Sequence, residues 1–159
     1  MSCNRRTKLV ALLALIFLFG PLAYAARPTP IVLDTDIGGD IDDAFALALV
    51  LHSPELDLRA VTTVSGDTQA RARLAAKMLS VAGRPNVPVA AGTPGAHMDA
   101  PQTQWADGFS SPALVSKNAV ELMQSVLDRG QGKVMIVAVG PLTNVAALLQ
   151  EHPEEKQKI

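Results

Sequence analysis

The stretch Pro30–Leu51, PIVLDTDIGGDIDDAFALALVL, limits the fold before composition is considered. A short, β-branched apolar run stops on Asp34 and Asp36, and a helix-length apolar run starts at Asp42 and Asp43. Five aspartates (Asp34, Asp36, Asp40, Asp42, Asp43) fall within ten residues, with no lysine or arginine between Asp34 and His52. Burying them uncompensated would cost more than a small domain can bear. The first strand must therefore end at a polar rim, and something there must offset the charge.

The rest of the chain repeats this alternation. Strands are expected in "PIVLDTD", "LRAVTTVS", "VPVAAG" and "KVMIVAVG". Helices are expected in "DDAFALALVLHS", apolar nearly all round and so buried, and in "DTQARARLAAKMLSVAG", with Asp67 near its start and Gly83 at its end. Two more follow: "SKNAVELMQSVLDRG", opened by Ser116 and closed by Gly130, and "PLTNVAALLQEHPE". Residues Thr93 to Pro112 read as one long loop. This order predicts the α/β class: a Rossmann-like parallel sheet with flanking helices and right-handed crossovers. Ligands of such sheets bind at the carboxyl ends of the strands. Asp34 and Asp36, then Ser65, Gly66 and Asp67, then Val139, Gly140 and Thr143 would meet on that rim.

Composition excludes some functions. At 159 residues, 48% hydrophobic and 18% charged, the chain fits about one globular domain. Aromatics at 4% and a net charge of −1 without a basic stripe argue against a nucleic-acid polymer as partner. Arg5, Arg6 and Lys8 precede an apolar run from Leu9 to Phe19, and Ala23-Tyr24-Ala25 offers small residues for cleavage. Residues 1–25 are thus expected to be a secretory signal peptide, and residues 26–159 the mature domain, secreted or periplasmic. The run is too short for an ordinary span, so no stable membrane anchor is expected. Cleavage would remove Cys3, the sole cysteine, and leave a mature charge near −4.

The helix dipole favours Asp42 and Asp43 by roughly 0.3–1 kcal/mol each, which leaves the other carboxylates unexplained. A divalent cation would neutralise several together. Oxygen ligands without nearby His or Cys suit calcium or magnesium. The spacing is not that of an EF-hand, because Phe45 stands where its closing glutamate would be. The plainer reading, for Asp40 above all, is a solvated turn residue.

"DTDIGGDIDDAFAL" resembles the signature of the inosine–uridine-preferring nucleoside hydrolases. "AVTTVSGD", "VPVAAG", "WADG" and "VAVGPLTNVA" match further family segments in the same order, across Pro30 to His152. The resemblance implies the nucleoside hydrolase fold, here truncated, and calcium-dependent cleavage of the N-glycosidic bond of ribonucleosides to base and ribose. It implies Asp36 as metal ligand and general base, Asp43 as second ligand, and Val139 as a carbonyl ligand. Asp42 and Asp67 would contact the sugar, and Asp34 would orient the loop from behind. The partner is then a small nucleoside.

Several features depart from the family pattern. Two extra residues lie within the D-x-D…D-D motif, so an alternative register makes Asp40 the ligand. Asp67 stands where Asn is common. Trp105 and Ala106 replace a common His-Gly pair, and Trp105 would either cover the base or fill the core. Family members are about twice this length, so the lone chain is expected to show little turnover, or to be a binding remnant that keeps part of the metal and ribose site. His52 reads as a helix C-cap, His97 as a loop residue able to reach a ligand, and His152 as surface. A D-x-D phosphatase is a further alternative, against which Gly38 stands where Thr or Val is expected and no suitable lysine follows. A truncated sheet would expose an edge, and self-association would follow.

Overall fold

The computed structural model describes residues 27–159; the expected signal peptide lies outside the described residues. Four parallel strands form one sheet: β1 (Thr29–Thr35), β2 (Leu56–Thr63), β3 (Val89–Ala91) and β4 (Met135–Ala138), in the order β3-β2-β1-β4. Helices α1 (Asp42–Leu51), α2 (Thr68–Val81), α3 (Ala119–Arg129) and α4 (Thr143–Glu151) connect or follow them. The expected α/β alternation is present, and no described helix is long and apolar enough to cross a membrane.

Strand β1 reads as a continuous apolar run because both its faces are covered. Ile31 and Leu33 pack with Leu47 and Val50 of α1 and Leu79 of α2. Val32, Ala60 and Ala90 face the other way, against Leu122 and Met123 of α3 and Leu148 of α4. Each such buried aliphatic side chain contributes about 1.5–3 kcal/mol. The β1–β2 register slips between Ile31 and Val32, where Arg59 is the extra, exposed residue.

Some local expectations need correction. Helix α1 is not buried all round. Ile41, just before it, and Phe45 and Leu49 within it form an exposed i, i+4, i+8 stripe, and Phe45 is 65% exposed. Helix α3 is opened by Asn118, not Ser116. The Asn118 side chain accepts from the Glu121 amide while Glu121 reaches back to the Asn118 amide, a reciprocal cap. The Thr93–Pro112 segment contains a 3-10 helix, Pro101–Ala106, packed on α2. Trp105, on that helix, does not fill the core. It is 50% exposed, with the Lys77 ammonium 4.4 Å from its ring centroid, on the third turn of α2.

Strand β4 is an edge strand among the described residues. Met135 lies in register with Ile31, on the side that α1 covers over β1, yet it is 51% exposed. The facing of α1 can be checked by mutation. Leu47→Ala should cost about 2–5 kcal/mol in urea unfolding. Phe45→Ala should stay within about 0.5 kcal/mol. Equal losses at both positions would mean that α1 is turned differently.

Candidate active site

Strand order decides which loops meet. β1 and β4 are neighbours although about a hundred residues separate them, and the chain reverses its lateral direction between them. This is the switch point where parallel sheets open a crevice. The turn after β1 carries Asp36, and the turn after β4 carries Val139 and Gly140. The Val139 amide donates to the Asp34 carbonyl at 2.9 Å, and the Val64 amide to the Thr35 carbonyl at 3.0 Å. These bonds continue the sheet's pairing up to the rim. Gly140 is required by proximity: a Cβ there would lie 2.8 Å from Asp36 Oδ1 and 2.9 Å from the Asp36 nitrogen.

Asp34 is fully buried at the end of β1. Its Oδ1 accepts from Thr62 Oγ1 at 2.7 Å and from Asn144 Nδ2 at 2.8 Å, and its Oδ2 has no donor. Burial pushes the Asp34 pKa up. The bonds from Asn144 and Thr62 oppose this, and the nearby Asp36 charge adds to it. Asn144 also donates to the Thr63 carbonyl at 3.1 Å, so one amide on α4 ties β1 to β2. Gly92 permits this approach, because a Cβ there would fall 2.2 Å from Asn144 Oδ1.

Asp43 is 8% exposed and sits in the first turn of α1. Its Oδ1 accepts from Thr35 Oγ1 at 2.6 Å, and the same hydroxyl oxygen accepts from the Ile37 amide at 3.1 Å. Its pKa is raised, by burial first. The Thr35 bond lowers it, repulsion from Asp36 and Asp42 raises it, and Arg71 lowers it. Asp36 therefore acts electrostatically on both Asp34 and Asp43, and these three form the acidic centre of the rim.

The other sequence candidates lie further out. Asp42 is exposed, and its Oδ1 accepts from the Asp43 amide at 3.1 Å. Asp40 is exposed and makes no side-chain hydrogen bond among the described residues. Asp67 caps α2, accepting from the Ala70 amide at 2.9 Å, and is exposed beside the rim. Val139 is 44% exposed. His52 is the C-cap of α1, with Nδ1 2.9 Å from the Ala48 carbonyl. His152 lies beyond α4, beside Gln124. His97 is exposed, on a segment held to the β2 rim by the Gly95 amide donating to the Gly66 carbonyl at 3.1 Å.

Three residues that shape this site escaped the sequence reading. Thr35 and Asn144 stand within motif segments but are ordinary polar types, with nothing local to single them out. The third, Arg71, is 1% exposed. Its Nε donates to the Ser65 carbonyl at 2.9 Å, and its Nη1 to the Ile37 carbonyl at 2.8 Å and to the Asp36 carbonyl. A buried protein cation thus stands against the acidic turn, where sequence reasoning placed only a metal. Among the described residues no three His, Cys, Asp or Glu side chains converge as a ready-made metal cage.

Two outcomes follow from this geometry. Asn144→Ala removes two buried hydrogen bonds and should cost about 1–3 kcal/mol by denaturant unfolding. Asp34 and Asp43 hold protons more tightly folded than unfolded, so the native state binds more protons. Stability of the metal-free chain should then fall as pH rises from the ordinary carboxylate value of 3.8 through the raised native values. Melting temperatures between about pH 4 and pH 8 should show a shallower fall for Asp34→Asn than for wild type. An identical slope would remove Asp34 as a source of the effect.

Comparison with known proteins agrees with this architecture. The model of the family described as "Inosine-uridine preferring nucleoside hydrolase" matches residues 31–159. The chain is 41% identical to the pyrimidine-specific ribonucleoside hydrolase RihA of Klebsiella pneumoniae, over 82% of this chain and 45% of that protein. Among solved structures, a plant nucleoside hydrolase superposes with a TM-score of 0.71 at 29% identity, covering 83% of this chain and 46% of that one. A purine-preferring ribonucleoside hydrolase from Gardnerella vaginalis gives 0.68 at 27% identity, covering 82% and 46%. The chain spans about half the length of the curated relatives it matches. With a family model matched over nearly all of its described residues, this chain belongs to the inosine-uridine preferring nucleoside hydrolases.

Proposed function

We propose that this chain carries the metal- and ribose-binding part of a hydrolase that cleaves the N-glycosidic bond of ribonucleosides, with calcium as the metal. The observation that carries the reading is the carboxylate pair Asp36 and Asp43 at the β1–β4 switch point. Asp43 has its pKa raised by burial and by repulsion from Asp36 and Asp42. A hard cation would relieve that repulsion. Asp36 and Asp43, with the Val139 carbonyl, are the residues that would hold it. This all-oxygen set suits calcium better than a softer ion, and a substrate diol and water would complete the six to eight ligands calcium takes. Such an ion lowers the pKa of a bound water and holds vicinal hydroxyls.

The chain's own groups supply the rest. The Asp36 carboxylate takes the proton of the attacking water. Negative charge from Asp36 and Asp43 favours the cationic ribosyl character that develops as the glycosidic bond breaks. Asp42, exposed at the α1 start, accepts from a ribose hydroxyl. Asp67 uses one oxygen as a helix cap and leaves the other for the sugar. Asp34, buried behind them, fixes the end of β1 through Thr62 and Asn144.

A second reading is ligand binding without turnover. It is favoured by the histidines: His52 and His152 are engaged at helix ends, and His97 is fully solvated beside Asp99. None is placed as a leaving-group acid. Calorimetric titration of calcium and ribose, together with base release from inosine and uridine, separates the readings. Binding is expected in wild type and should drop by about tenfold or more in Asp36→Asn. Absence of calcium binding in wild type would sink both. Robust base release by the lone chain would remove the second.

A further inference from the structure

We infer that Arg71 is a positioning residue for the candidate site: its buried guanidinium holds the backbone of the Asp36–Ile37 turn and of Ser65, and thereby sets where the Asp36 carboxylate stands. The inference rests on the proposed function for its meaning, though not for its geometry.

Arg71 breaks two local rules. It lies in the first turns of α2, whose N-terminal dipole disfavours a cation. It is also buried, yet no carboxylate is in ion-pair contact with it among the described residues. An arginine that served only to fill space would be replaced at no loss by an apolar side chain. What compensates it is a set of three carbonyls from two different loops: Asp36 and Ile37 after β1, and Ser65 after β2. The rigid, planar guanidinium reaches both loops at once, which an ammonium cannot do with the same geometry.

The acceptors lie where backbone position matters. Ser65 has φ of 72°, a left-handed conformation unusual for a residue with a side chain. The bond from Arg71 Nε fixes its carbonyl in that turn. On the other side, the clamped carbonyl belongs to Asp36 itself, so turning the peptide would swing the carboxylate away from its place beside Gly140. Arg71 also lies near enough to Asp43 to favour its ionised form.

The test uses the full chain, with Arg71→Lys and Arg71→Met as variants. Hydrogen exchange should accelerate about tenfold or more in residues 36–39 and 64–67 of Arg71→Lys, while α3 amides stay unchanged. Calcium affinity of Arg71→Lys, measured well below its melting temperature, should fall about tenfold to a hundredfold. Arg71→Met should lose affinity to the same degree although it keeps the apolar packing. Unchanged loop exchange and unchanged calcium affinity in a folded variant would overturn the role. If neither variant folds, side-chain nitrogen NMR of wild type decides. A slowly exchanging Arg71 Nε proton is expected, and a fast-exchanging one refutes the clamp. If wild type takes up no calcium, the metal reading fails, and loop exchange alone still decides whether Arg71 positions the turn.

Discussion

The structure turns on a conflict between hydrophobic burial and carboxylate charge at the end of β1. The strand must lie in the sheet's centre, because its aliphatic residues feed both cores. Its continuation must carry acidic groups, and two of the cluster's carboxylates are pulled under the surface with it. Helix dipole energies of about 0.3–1 kcal/mol are too small to hold them there. What holds them is local and specific. The Thr62 hydroxyl and the Asn144 amide meet Asp34, the Thr35 hydroxyl meets Asp43, and one buried guanidinium grips the turn between them. Burial, with repulsion from Asp36 added to it, still raises both pKa values, and a cation of the kind proposed above would relieve that charge.

This solution is non-local. The bond from Asn144 to Asp34 spans 110 positions in sequence, and Arg71 reaches back 35 residues to Asp36. The first needs β4 beside β1, and the second needs α2 packed on the sheet. Contacts of this range are slow to form, and they couple the geometry of the site to completion of the sheet. Displacing β4 would therefore loosen Asp34 twice over, through the lost Val139 bond to its carbonyl and through the shifted Asn144 amide.

Much of this was legible in the sequence. Alternating apolar runs and amphipathic segments pointed to the parallel sheet, and parallel pairing puts the carboxyl ends of its strands on one rim. The cap at Asp67 and the C-cap at His52 followed from residue type and position. The cap of α3 was also readable, since Asn118 and Glu121 have the capping-box spacing, although Ser116 drew attention first. Strand order was not legible, because no local signal says whether a new strand joins on the left or the right. Arg71 was hidden for a related reason. In "DTQARARLAAKM" it looks like one of two surface arginines, and only the approach of the β1 turn makes it a buried cation. The exposed stripe of α1 was misread because an apolar helix looks buried wherever its neighbours are unknown.

That stripe and the open side of β4 bear on how far the site can act. Phe45, Leu49, Met135 and Leu142 leave exposed apolar side chains along this flank of the sheet, and the matched relatives are about twice as long. The rim is itself open to water, with Asp42, Asp67 and Val139 exposed. In water, two carboxylates and a carbonyl attract a cation with only a fraction of the strength they would have in a dry crevice. Oxyanion and oxocarbenium chemistry both depend on excluding solvent from charges already in place. The acidic turn, its hydroxyl and amide partners and its arginine clamp place the charges. In the hydrolase proposed above, covering the apolar flank would let those charges discriminate between a ribosyl transition state and the nucleoside from which it forms.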